Sequence, residues 1–224
     1  YKFTGIYEYL GRGLSILFSL LTIFLIIRIG EELLDSESGW GGGIFFALLP
    51  LGVFYGRTLQ AESLMMLCAS LSIERLLAWK KLNSNLALFI SWLSFCAACL
   101  IKVLPLVWLS IPLLTLQIQP YLKGSTLSLP QFRKGLVKAF CSARVWIYFL
   151  SSLLALSLWY GYAYQLGQES GLSFGFWGDS SDRSSLSLLL DLDLWLNLFL
   201  RISVRNLAIL GVPIFIYGYW HCRR

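Results

Sequence analysis

Residues 13–29 (GLSILFSLLTIFLIIRI) carry one charge, Arg28, in seventeen positions. Apolar runs of the same kind recur at 42–56, 63–79, 86–101, 103–119, 145–165 and 206–220. A membrane-crossing helix needs about 20 residues at about 1.5 Å rise each. The first run therefore reads as a span that starts near Tyr9. Composition decides between lipid and a large soluble core. The chain is 57% hydrophobic and only 13% charged, with a mean hydropathy of +0.70. Soluble domains carry about 25% charged residues. The expectation is an all-α, polytopic transmembrane helix bundle of about seven membrane helices, forming one domain over 1–224. The net charge of +6 is no nucleic-acid signal, because the basic residues cluster between apolar runs, as membrane topology requires.

Polar segments then set the orientation. Residues 120–144 hold Lys123, Arg133, Lys134, Lys138 and Arg144 with no acidic residue. Placing them on the cytoplasmic side, with strict alternation, puts Lys80, Lys81, Arg223 and Arg224 there too, as the positive-inside rule wants. The acidic, glycine-rich stretch Gly30–Gly43 reads as a turn on that side. The opposite, extracytoplasmic face then receives the N-terminal segment, the hinge Gly56-Arg57-Thr58-Leu59-Gln60-Ala61-Glu62-Ser63, Lys102 and all of 165–205. Within 186–205, leucine at alternate positions suggests a strand. Asp193, Asn197, Arg201 and Arg205 instead form a stripe at helical spacing, and an isolated strand at a membrane surface leaves its edges unpaired. An interfacial amphipathic helix is expected there.

Each polar group without a topological excuse has two readings. Arg57 and Glu62 either snorkel as anchors of two helix ends, or they form a phosphate-binding cation and a carboxylate that handles a sugar or acceptor hydroxyl. Arginine suits phosphate because its planar fork makes bidentate, charge-assisted hydrogen bonds. Lys102, just before Pro105, either marks a turn or adds a point charge to the same rim. Trp177, Asp179, Asp182 and Arg183 lie in a loop (FWGDSSDR) that is either merely solvated or a carbohydrate surface, with rings stacking on sugars and carboxylates accepting hydroxyls. Glu74 and Arg75 read as a structural pair at a helix end. Arg201 and Arg205 read as headgroup contacts, with donor-phosphate binding by either as the alternative.

Other chemistries lack their parts. The five cysteines (Cys68, Cys96, Cys99, Cys141, Cys222) sit in apolar runs or at their ends and read as packing residues. The one histidine, His221, stands in a basic tail beside Cys222, so no zinc site is expected. There is no phosphate loop of the GxxxxGK[ST] kind, and a Ser/His/Asp triad is not available.

Taken in order, several features resemble a known family. Tyr9-Leu10-Gly11-Arg12 leads into the first helix. A second helix ends Tyr55-Gly56-Arg57, and Gln60-Ala61-Glu62-Ser63 opens the next. Lys102 heads a proline-containing helix, and a Phe-Trp-Gly loop precedes the interfacial segment. This order resembles the polytopic glycosyltransferases of the protein O-mannosyltransferase and aminoarabinose transferase superfamily, with the GT-C fold. The resemblance implies inverting transfer of a sugar from a polyprenyl-phosphate donor to a lipid, glycan or protein acceptor at the extracytoplasmic face of the cell envelope. Arg57, Lys102 and Arg183 would hold the donor phosphate, Glu62 would act as a catalytic carboxylate, and Trp177, Asp179 and Asp182 would contact sugar or acceptor. The family often uses a divalent metal, for which no ligand set is visible here. Its principal carboxylate lies in a first extracytoplasmic loop, expected upstream of Tyr1, so the chain is read as a fragment truncated at both ends. The rival readings are a transporter or flippase of a lipid-linked or anionic substrate, and a non-catalytic membrane subunit.

Overall fold

A computed structural model describes residues 8–58, 60–122, 142–170 and 192–200, together with positions 137, 211 and 213. Among these residues there are helices and no strand. They are α1 (Glu8–Leu33), α2 (Ser36–Leu48), α3 (Pro50–Arg57), α4 (Glu62–Leu82), α5 (Asn85–Ile101), α6 (Pro105–Trp108), α7 (Ser110–Leu122), α8 (Ala143–Ser170) and α9 (Leu192–Leu200). The all-α expectation holds for them.

Local chemistry sets the breaks. The Asp35 side chain accepts from the Ser38 amide at 2.7 Å and caps the start of α2. Leu49 is extended because the ring of Pro50 crowds the residue before it, so α2 and α3 meet at a kink. Asn83, at φ 49°, closes α4 in the left-handed conformation that asparagine tolerates. Ser84 then accepts from the Ala87 amide and opens α5, giving an antiparallel hairpin.

The stretch Gly30–Gly43 is not the turn expected of it. Helix α1 runs on to Leu33 and α2 begins at Ser36. The glycines form a packing face instead. A Cβ on Gly39 would lie 2.6 Å from the Ile27 carbonyl oxygen, and one on Gly30 would lie 2.6 Å from the Gly39 Cα. Gly39 and Gly43, four apart, let α2 press its backbone onto α1, as small residues do between membrane helices.

Helix α4 is the hub, packing most extensively on α5 and α1, with α8 against α5 and α7 against α4. A buried hydroxyl cluster ties three of them together. Ser91 Oγ donates to the Ser72 carbonyl at 2.7 Å and lies 3.0 Å from Tyr148 Oη. Ser72 Oγ donates to the Ser91 carbonyl at 2.9 Å. On α1 the polarity is inverted relative to a soluble helix. Ser15 and Thr22 point inward, while Leu14, Leu17, Leu21 and Phe24 face out.

Two helices, Glu8–Leu33 and Ala143–Glu169 within α8, are long and apolar enough to cross a membrane. With the outward leucines they support membrane association. They also correct the count of about seven spans. The 42–56 run is divided at Pro50, and the 103–119 run splits into the four-residue α6 and the 13-residue α7. Helix α4 carries Glu62, Glu74, Arg75, Lys80 and Lys81, and α5 has only 17 residues. The 206–220 run lies outside the described residues except for Gly211 and Pro213. Of the expected interfacial segment 186–205, residues 192–200 are described and helical, with the Asn197 side chain donating to the Asp193 carbonyl at 2.8 Å.

Candidate functional site

Glu62 stands at the first residue of α4, and Lys102 caps the end of α5. The hairpin folds back at Asn83 and Ser84, so the two ends come together although they are 40 residues apart. The Lys102 ammonium donates to Glu62 Oε1 in an ion pair whose side chains are 42% and 18% exposed. Each charge also suits its helix end, the carboxylate at a positive N-terminus and the ammonium at a negative C-terminus. The sequence placed both on one rim, and the fold brings them into contact.

Glu62 lines a cavity of about 310 Å³. Phe46, Leu49, Met65 and Met66 make its apolar walls, and Ser19, Thr22 and Ser63 add hydroxyls. Gly56 keeps α3 close to α1, since a Cβ there would sit 2.9 Å from Ser19 Oγ. The result is a greasy slot with one carboxylate at its polar end. An apolar chain fits such walls, and the Glu62 carboxylate, ion-paired with Lys102, lies among them.

The other expected site residues divide as follows. Arg57 ends α3 five residues before Glu62, but its side chain lies outside the described atoms. Trp177, Asp179, Asp182 and Arg183 lie outside the described residues. Among the described residues, no three or more His, Cys, Asp or Glu side chains gather as a metal site would need. Cys96 Sγ donates to Ser152 Oγ at 3.4 Å, and both are buried.

A second ionic feature was under-read from sequence. The expected pairing of Glu74 with Arg75 is present, and a third partner joins it. Glu74 lies about 18 Å along α4 from Glu62, its side chain only 6% exposed, within 3.1 Å of Arg28 from α1 and clasped by Arg75. Arg28 was legible as the lone charge in the first run. Its partner was not, because nothing local says which face of α1 meets α4.

No family model, no curated protein and no solved structure matches this chain.

Proposed function

We propose that this chain is part of a multi-pass, GT-C-like membrane glycosyltransferase that moves a sugar from a polyprenyl-phosphate donor to an acceptor at the extracytoplasmic face. The observation that carries the reading is Glu62, ion-paired with Lys102, in the lining of an apolar cavity. In this scheme the donor's prenyl tail lies along Phe46, Leu49, Met65 and Met66. Lys102, with Arg57 and Arg183, offsets the charge that grows on the departing phosphate. Glu62 orients or deprotonates the acceptor hydroxyl. Trp177, Asp179 and Asp182 stay in the proposal as sugar or acceptor contacts.

The test is transfer of radiolabelled sugar from a polyprenyl-phosphate donor by the complete protein in membranes. Glu62→Gln, Lys102→Met and Arg57→Ala should each lower transfer by a factor equivalent to about 2–4 kcal/mol of transition-state stabilisation, with insertion intact. Wild-type turnover in Glu62→Gln and Lys102→Met together would end the reading. Wild-type turnover in Arg57→Ala would remove only that residue.

One observation favours the rival class of transporter. A buried carboxylate paired across two helices, Glu74 with Arg28, is what a substrate or ion path inside a membrane bundle uses. Uptake into sealed vesicles that is lost in Glu74→Gln and kept in Glu62→Gln would decide for transport.

A further inference from the structure

A second cavity, about 390 Å³, opens at the other end of α1 and α4 and takes no part in the reaction proposed above. Its lining is ionic, with Arg28, Glu31 and Glu32 from α1 and Glu74 and Lys81 from α4, beside an apolar wall at Leu77. Internal pairs account for most of that charge. Glu74 is within 3.1 Å of Arg28, and Lys81 Nζ donates to Glu32 at 3.1 Å. Glu31 is left over, exposed to the cavity with neither an ion pair nor a hydrogen bond among the described residues.

An unpaired carboxylate in a cavity draws a cation. An ammonium suits Glu31 because it brings three donors to one acceptor group. The paired cations meanwhile keep donors to spare. Arg28 is ion-paired with Glu74 while its side chain is 48% exposed, and Lys81 is 66% exposed beyond its bond to Glu32, so each cation has N–H donors to spare. Those spare donors match a phosphate. A ligand with both an ammonium and a phosphate would complement the whole lining. The cavity also stands beside exposed leucines at the helix ends, Leu33, Leu34 and Leu82. That setting calls for a ligand with apolar tails.

We propose that this cavity binds the headgroup of a zwitterionic phospholipid with a primary ammonium, a phosphoethanolamine lipid. The ammonium sits on Glu31, the phosphate diester on Arg28 and Lys81, and the acyl chains run past Leu77 and Leu82. The assignment stands whether or not the chain transfers sugar.

The test is thermal unfolding of the purified chain in detergent, titrated with short-chain phosphatidylethanolamine, phosphatidylglycerol, phosphatidylcholine and tail-less glycerophosphoethanolamine. Phosphatidylethanolamine should raise the midpoint saturably and more than the other three. Glu31→Gln should weaken that binding about tenfold, the loss of one charge-assisted bond, with its unliganded midpoint unchanged because Glu31 is exposed. Lys81→Gln, at an equally exposed position, should weaken phosphatidylethanolamine binding too. Equal shifts from phosphatidylglycerol, or wild-type binding by Glu31→Gln, would overturn the site. Equal binding of the tail-less compound would overturn the lipid assignment.

Discussion

At the scale of single residues, the ions divide by how much water reaches them. Lys102 is 42% exposed, so losing it costs little stability, about 1 kcal/mol or less, as for other surface pairs. Its proposed role in transfer makes activity the sensitive readout. Exchanging the charges, Glu62→Lys with Lys102→Glu, should recover thermal stability relative to either single change and leave transfer abolished, because the pair would be kept and the base misplaced. Glu74 behaves differently because its carboxylate is buried while both arginines reach solvent. Glu74→Gln should be mild, about 1 kcal/mol, since the arginines can turn to water. Removing both, Arg28→Gln with Arg75→Gln, leaves an uncompensated buried charge and should cost about 3–5 kcal/mol. Unfolding of the purified variants in detergent measures the difference. The carboxylates and cations themselves were legible in the sequence. The Glu74–Arg75 pair was legible too, being adjacent in the chain, whereas the long-range meetings of Glu62 with Lys102 and of Glu74 with Arg28 were not.

At the scale of elements, the glycine run shows how one pattern supports two structures. Gly39-Trp40-Gly41-Gly42-Gly43 has turn composition, yet the four-residue spacing of Gly39 and Gly43 is also that of a close helix–helix face. Packing against Ile27 and Gly30 decides for the helix. Gly39→Ala drives a Cβ into the Ile27 carbonyl, a backbone atom that cannot swing away, and should destabilise the protein by about 1–3 kcal/mol. Gly41→Ala meets nothing within 4 Å, and should be neutral or stabilising by about 0.5–1 kcal/mol through helix propensity. Thermal unfolding of the two side by side separates packing from propensity. The break at Leu49–Pro50 needed no such contest, because a proline acts on its own neighbour.

At the scale of the whole molecule, α4 is the axis, and its two ends carry different sites. Glu62 and Lys81 are about 28 Å apart along the helix, close to the thickness of a bilayer's hydrocarbon core. Helix α4 is not one of the two long apolar helices, so its crossing belongs to the multi-pass proposal, which requires that, with the five native cysteines replaced, single cysteines at Gln60 and Asn83, both exposed, react with an impermeant reagent from opposite sides of sealed vesicles. Labelling from one side would show that α4 does not cross. The hydroxyls of Ser72, Ser91 and Tyr148 bind α4, α5 and α8 where no charge does. Tyr148→Phe should lower stability by about 1 kcal/mol, in line with about 0.6 kcal/mol per interhelical hydrogen bond in membrane bundles.

The sequence by itself determined the helical class and the positions of Arg57, Glu62 and Lys102 at helix ends. Those properties follow from residue-by-residue transfer cost and from local backbone preferences, which need no partner. Only the tertiary structure decided that Glu62 touches Lys102, that Arg28 of α1 reaches Glu74 of α4, and that glycines stack where a turn was expected. Lipid-facing and protein-facing sides of such helices are almost equally apolar, so hydropathy does not distinguish them. The choice falls to small residues and buried polar groups, whose partners lie far away in the chain.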